Sequence, residues 1–142
     1  MRFTDKVVVI LGGNSGIGLA SARAFAAEGA QVRITGRHRE TIDAAVTEMP
    51  GARGFRADIA DLAAMDEVYA AIGEADGRID VLFINAGIGG FAPLRAITED
   101  AWDQVHSVNL KGLRVRAAEG AAADEARRFG RRDRLDRRAR RA

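Results

Sequence analysis

Along residues 1–112, unbroken apolar runs alternate with stretches whose apolar positions recur at helical spacing. Lys6 leads into Val7-Val8-Val9-Ile10-Leu11, a continuous run that predicts a parallel strand buried on both faces. From Gly16 to Glu28 the period changes. Ile17, Ala20, Ala24 and Phe25 fall on one stripe, which predicts a helix, and Gly29 stops it. Gln31 to Thr35 reads as a second strand, and Arg39 to Met49 as a second helix ahead of Pro50-Gly51. Arg53 to Ala57 is a weak third strand, Leu62 to Glu74 a third helix, and Asp80 to Ile84 a fourth strand. Thr98 suits the N-cap of a fourth helix, whose dipole Glu99 and Asp100 complement. The alternation predicts an α/β fold: a parallel sheet of about four strands joined by right-handed crossovers.

The turn between the first strand and the first helix is Gly12-Gly13-Asn14-Ser15-Gly16-Ile17-Gly18. Strand, glycine turn and helix in that order form a cradle for a dinucleotide pyrophosphate. Glycines let phosphates approach the backbone, and the helix start offers free N–H groups and the positive end of its dipole. An acid about 20 residues past such glycines binds the ribose 2′-hydroxyl and repels a 2′-phosphate. Gly36 stands there instead, followed by Arg37, with Arg39 nearby. A guanidinium pairs with phosphate through parallel N–H···O bonds, so this spacing predicts NADP(H), with NAD(H) as the second choice. A plain strand-to-helix loop and two solvated arginines are the alternatives.

Three separated motifs sharpen the picture. The glycine turn, Asn85-Ala86-Gly87 after the fourth strand, and Val108-Asn109-Leu110-Lys111-Gly112 together resemble the short-chain dehydrogenase/reductase family over residues 5–112. Gly12, Gly16 and Gly18 match the family's Thr-Gly-x-x-x-Gly-x-Gly glycines, with Leu11 where the family has Thr and a local hydrogen bond expected to be lost. The resemblance implies a partial, doubly wound Rossmann sheet in strand order 3-2-1-4. It implies cofactor contacts from Gly12, Asn14, Ser15, Gly16, Ile17 and Gly18, with Asp58-Ile59 at the adenine and Asn85, Ala86 and Gly87 along the ribose. Asn109 then matches the helix-borne Asn that holds a water in a catalytic proton relay. Each has a plainer alternative. Asp58 could cap a turn, Asn85-Ala86-Gly87 could be a tight turn, and Asn109 could face solvent. The implied activity is hydride transfer on a small alcohol or carbonyl substrate, with residues 88–97 on the substrate side. Full-length relatives are implied to be homo-oligomers.

The same family resemblance exposes a gap. Its chemistry uses a Ser and a Tyr-x-x-x-Lys pair, in which Lys lowers the pKa of the Tyr acid/base. The only Tyr here is Tyr69, followed at the fourth position by Gly73, and the only lysines are Lys6 and Lys111. The late serine, Ser107, lies two residues before Asn109. Binding without turnover is therefore expected of this chain alone.

Composition divides the chain in two. Residues 1–112, the expected dinucleotide-binding portion, hold 11 basic and 15 acidic side chains, whereas residues 113–142 hold 11 Arg, 8 Ala and 5 acids. This tail reads as helical at first, then disordered, with no strand pattern. Its residues are those of GC-rich codons, which suggests an out-of-frame or otherwise altered end to a longer reductase. The rival is a basic tail that binds nucleic acid. The interspersed acids and the lack of aromatic platforms count against it. The length of 142 residues suggests one domain, short for a complete six- or seven-stranded enzyme. There is no cysteine, and His38 and His106 stand isolated, so neither disulfide nor metal site is expected. No apolar run nears the roughly 20 residues of a membrane span, and the N-terminus lacks a secretory pattern, so a cytoplasmic location is expected.

Overall fold

β1 (Val7–Leu11) is buried at every position, as its unbroken apolar run requires. The structure, a computed structural model, describes residues 1–90 and 92–112. The Arg/Ala-rich tail of residues 113–142, expected to be helical and then disordered, lies outside the described residues. After β1 come α1 (Gly16–Ala27), β2 (Gln31–Gly36), α2 (Arg39–Thr47) and β3 (Arg53–Arg56). Then follow α3 (Leu62–Asp76), β4 (Val81–Ile84), a 3-10 turn at Leu94–Ala96, α4 (Glu99–His106) and a π-helical turn at Ser107–Gly112. The sheet is wholly parallel in order β3-β2-β1-β4. Val9 of β1 stands opposite Arg33 of β2 on one side and Leu82 of β4 on the other.

Successive strand residues point to opposite faces, so β1 feeds two cores. Val7, Val9 and Leu11 pack with Met65, Val68, Tyr69 and Ile72 of α3. Val8 and Ile10 pack with Ala22 of α1, Val32 and Ile34 of β2, and Ile42 and Ala45 of α2. Each fully buried Ile or Leu contributes about 1.5–3 kcal/mol relative to exposure. Leu11, where the resemblance offers Thr, is one of them at 0% exposure.

Helix ends follow their local chemistry. Asp61 caps α3 by accepting from Ala64 N at 3.1 Å, and Gly77, left-handed at φ 73°, closes it. Thr98 caps α4 by accepting from Ala101 N at 3.2 Å, as its sequence position predicts. The fourth helix is regular only as far as His106, beyond which the chain widens into the π turn, a change its composition does not announce.

Two polar clusters fasten the sheet, one at the start of β4 and one between β2 and α3. Asp80, just before β4, accepts from Val7 N at 2.9 Å and from Lys6 Nζ at 3.2 Å, with Arg78 Nε at 2.8 Å. Partial burial raises the pKa of this carboxyl, but the Val7 amide, Lys6 and Arg78 more than offset it, so Asp80 titrates below the ordinary aspartate range. On the α3 side of the sheet, Arg33 and Asp76 form a buried pair, side chains 4% and 5% exposed, with Arg33 Nε 2.7 Å from Asp76 Oδ2. Among the described residues, no helix is long and apolar enough to cross a membrane.

Candidate functional site

The strands of a parallel sheet point their carboxyl ends to one side, and the loops there form a cleft at the point where the strand order reverses. Here that cleft encloses about 440 Å³. The glycine turn contributes Gly12, Asn14 and Ser15 to its lining, and residues 35–38 contribute the end of β2 and the segment leading to α2. Residues 57–60 follow β3, residues 85–88 follow β4, and Gln104, Ser107 and Val108 close the far side.

The glycine turn is tied to both neighbouring strands. Gly12 N donates to Thr35 Oγ1 at 3.2 Å and Gly13 N to Thr35 O at 3.1 Å. Asn85 N donates to Leu11 O at 3.0 Å, and Asn85 Nδ2 to Gly12 O at 3.2 Å. The Thr35 hydroxyl thus holds a turn whose own strand ends in Leu11 rather than a hydroxyl residue. Gly18, in the first turn of α1, packs so closely that a Cβ would stand 2.0 Å from Gly12 O and 2.7 Å from Asn85 Nδ2. Gly16 has φ +52°, and a Cβ there would meet nothing within 4 Å. Ile17 is 73% exposed, while Gly16, Ile17 and Gly18 stand outside the cleft lining itself.

The start of α1 is built for an anion. Ser15, the N-cap, makes no side-chain bond to the first turn, and that turn carries no acid. The helix's leading N–H groups are therefore left as donors beside the cleft, together with the dipole's positive end. α3 and α4, by contrast, both have side-chain caps. These donors and the open space at Gly16 fit a dinucleotide pyrophosphate.

The rim at β2 separates the two arginines. Arg39 is held by Asp43, with Arg39 Nε 3.0 Å from Asp43 Oδ2 and a second contact at 2.6 Å. Arg37 lines the cleft and makes no hydrogen bond or ion pair among the described residues. Gly36 presents no side chain, and the Asn14 carboxamide lies against it and donates to Thr41 Oγ1 at 2.8 Å.

Asp58 and Ile59 both line the cleft, and Asp58 Oδ1 also accepts from Ala60 N at 2.9 Å. The wall role and the turn role therefore coexist, and the helix cap falls to Asp61 instead. Asn85, Ala86 and Gly87 line the opposite wall. Asn109 is neither in the lining nor turned to solvent. Its Oδ1 accepts from Ile88 N at 2.8 Å and its Nδ2 donates to Ile88 O at 2.7 Å, clamping the loop after β4 from behind. Three polar residues escape the sequence reading: Thr35, Thr41 and His38, the last a cleft residue and the N-cap of α2. Thr35 alone leaves a trace, as a polar residue ending an otherwise buried strand.

Known proteins agree with this geometry. A family model described as short chain dehydrogenase matches residues 6–130. Galactitol 2-dehydrogenase of Agrobacterium fabrum is 45% identical over 114 residues, covering 79% of this chain and 44% of that protein. A metagenomic short-chain oxidoreductase solved in complex with NADP superposes with TM-score 0.80 at 32% identity, covering 87% of this chain and 58% of the other. A short chain dehydrogenase from Burkholderia cenocepacia, also in complex with NADP, gives TM-score 0.80 at 34% identity over 86% and 52% of the two chains. The chain spans about half the length of the relatives it matches.

Proposed function

This chain belongs to the short-chain dehydrogenase family, and on that premise we propose that its cleft binds NADP(H) in preference to NAD(H). The observation that carries the preference is the pair of arginines. Arg39 is engaged by Asp43, whereas Arg37 sits in the cleft lining beside Gly36 with its guanidinium unengaged among the described residues. Gly36 removes the carboxylate that would repel a 2′-phosphate, and Arg37 supplies the charge that attracts one. The pyrophosphate would lie over Gly12 and the start of α1, contacting Asn14, Ser15, Gly16, Ile17 and Gly18. Asp58 and Ile59 would border the adenine, and Asn85, Ala86 and Gly87 the ribose next to the nicotinamide. Asn109 would serve by holding Ile88, and so the wall the nicotinamide meets.

When bound, the nicotinamide would carry the hydride in a reaction on a small alcohol or carbonyl compound. This chain would supply binding and orientation for that reaction but offers no match to the family's catalytic Ser and no Tyr-x-x-x-Lys. We therefore propose that it binds cofactor without turning it over. Fluorescence titration of the full chain with NADPH and NADH, beside an NADPH-oxidation assay over a panel of carbonyl compounds, tests both parts. A charged hydrogen-bonding contact predicts a preference for NADPH of about ten- to a hundredfold, lost in Arg37→Ala. Equal affinities refute the cofactor reading, and turnover by this chain refutes the binding-only reading.

A further inference from the structure

We infer that Thr41, which lies outside the cleft lining, is a positioning residue that sets the cofactor preference through Asn14. The inference rests on the reading of Arg37 as the 2′-phosphate ligand. Arg37 occupies the short link between β2 and α2, so its direction depends on how α2 is seated against the glycine turn. One hydroxyl makes that seat. Thr41 Oγ1 donates to His38 O at 3.0 Å, closing the first turn of α2, and accepts from Asn14 Nδ2 at 2.8 Å. His38 offers no side-chain cap of its own. The far end of the link is held separately, by Ala57 N donating to Gly36 O at 2.9 Å. Arg37 is thus framed between a backbone bond at Gly36 and the Thr41 hydroxyl just beyond it.

Gly36 is part of the same device. A Cβ at position 36 would stand 2.6 Å from both Cγ and Oδ1 of Asn14. Any side chain there, an acid included, forces the Asn14 carboxamide to shift from its place against Gly36. A carboxylate at position 36 therefore competes with the bridge, which couples the seat of α2 to the absence of the group that favours a free 2′-hydroxyl. Thr41 is exposed, so replacing its hydroxyl with a methyl removes both bonds while keeping the side-chain shape.

The test is titration of wild type, Thr41→Val and Thr41→Ser full chains with NADPH and with NADH, with a thermal melt of each. Thr41→Val is expected to weaken NADPH binding about fivefold more than NADH binding, the loss of one modest hydrogen bond's worth of orientation. Thr41→Ser is expected to keep the wild-type ratio. Loss of both affinities in equal proportion, with or without a lower melting temperature, marks Thr41 as purely structural and overturns the inference, as does an unchanged ratio. A wild-type chain without NADPH preference overturns the Arg37 reading itself, and the Thr41 inference with it. That outcome is read from the wild-type titration alone.

Discussion

An added methyl group would fare differently at two of the nucleotide turn's four glycines. At Gly18 it would lie 2.0 Å from the Gly12 carbonyl oxygen, and at Gly16 it would meet only open space, though φ there is +52°. Gly18→Ala is therefore expected to push α1 off the turn and abolish cooperative unfolding. Gly16→Ala should cost only the left-handed strain, about 1–2 kcal/mol, read by urea denaturation. Comparable stabilities for the two variants would contradict the close packing of α1. Asn109 differs in kind, because both its carboxamide atoms are spent on Ile88. Asn109→Ala should lower stability by about 1–3 kcal/mol for two lost bonds. Hydrogen exchange at the Ile88 amide should speed up, and unchanged exchange would refute the clamp. Both residue types are visible in the motifs. Their reasons are not, since Gly18 meets Gly12 only once the turn folds α1 back over it, and Asn109 meets Ile88 only once the chain after α4 returns to the loop after β4.

At the scale of elements, one carboxylate reinforces the parallel ladder between β4 and β1 at its start. Asp80 bonds the Val7 amide with Lys6 and Arg78 alongside, and its pKa is lowered in the folded chain. A lowered folded-state pKa means that its stabilisation is complete above the ordinary aspartate range and is lost as pH falls through the folded value. Asp80→Asn should therefore destabilise the chain by about 1–2 kcal/mol at neutral pH and flatten the acid limb of stability against pH. Wild-type and variant acid limbs of the same steepness would refute this. The elements themselves are largely legible, because each carries its own period and punctuation. Even the weak third strand forms, with Arg53 to Arg56 in parallel register beside Arg33 to Gly36. The π turn at Ser107–Gly112 is not legible, because weak helix formers such as Ser107, Val108, Asn109 and Gly112 do not say which irregular turn follows; the Asn109 clamp on Ile88 lies within it.

Across the whole molecule, Arg33 and Asp76 connect the centre of the sheet to the end of α3, and Arg33 Nη1 also donates to Gly51 O at 3.2 Å after α2. Arg33→Met alone strands a buried carboxylate and should cost about 3–5 kcal/mol, whereas Arg33→Met with Asp76→Leu should recover most of that loss. Additive losses in denaturant melts would show that the two side chains act independently. No periodicity exposes this pair, for Arg33 interrupts an apolar run and Asp76 ends a helix 43 residues later. β4 is the outer strand of the described sheet and only half-buried, and α4 beyond it contains no buried residue. By itself the sequence determined the α/β alternation, the family, the glycine turn and the absence of an acid at position 36, because these depend on residue type and spacing along the chain. Only the tertiary structure decided that Arg37 lines the cleft unengaged, that Thr35 fastens the glycine turn, that Asn109 clamps Ile88, and that Asn14 spans Gly36 to reach Thr41. The physical reason is that hydrogen bonds and ion pairs are short-ranged and directional. Arg39 finds Asp43 one turn along its own helix, but the partners of Thr35, Asn109 and Asn14 are settled only when folding brings distant segments within about 3 Å of one another.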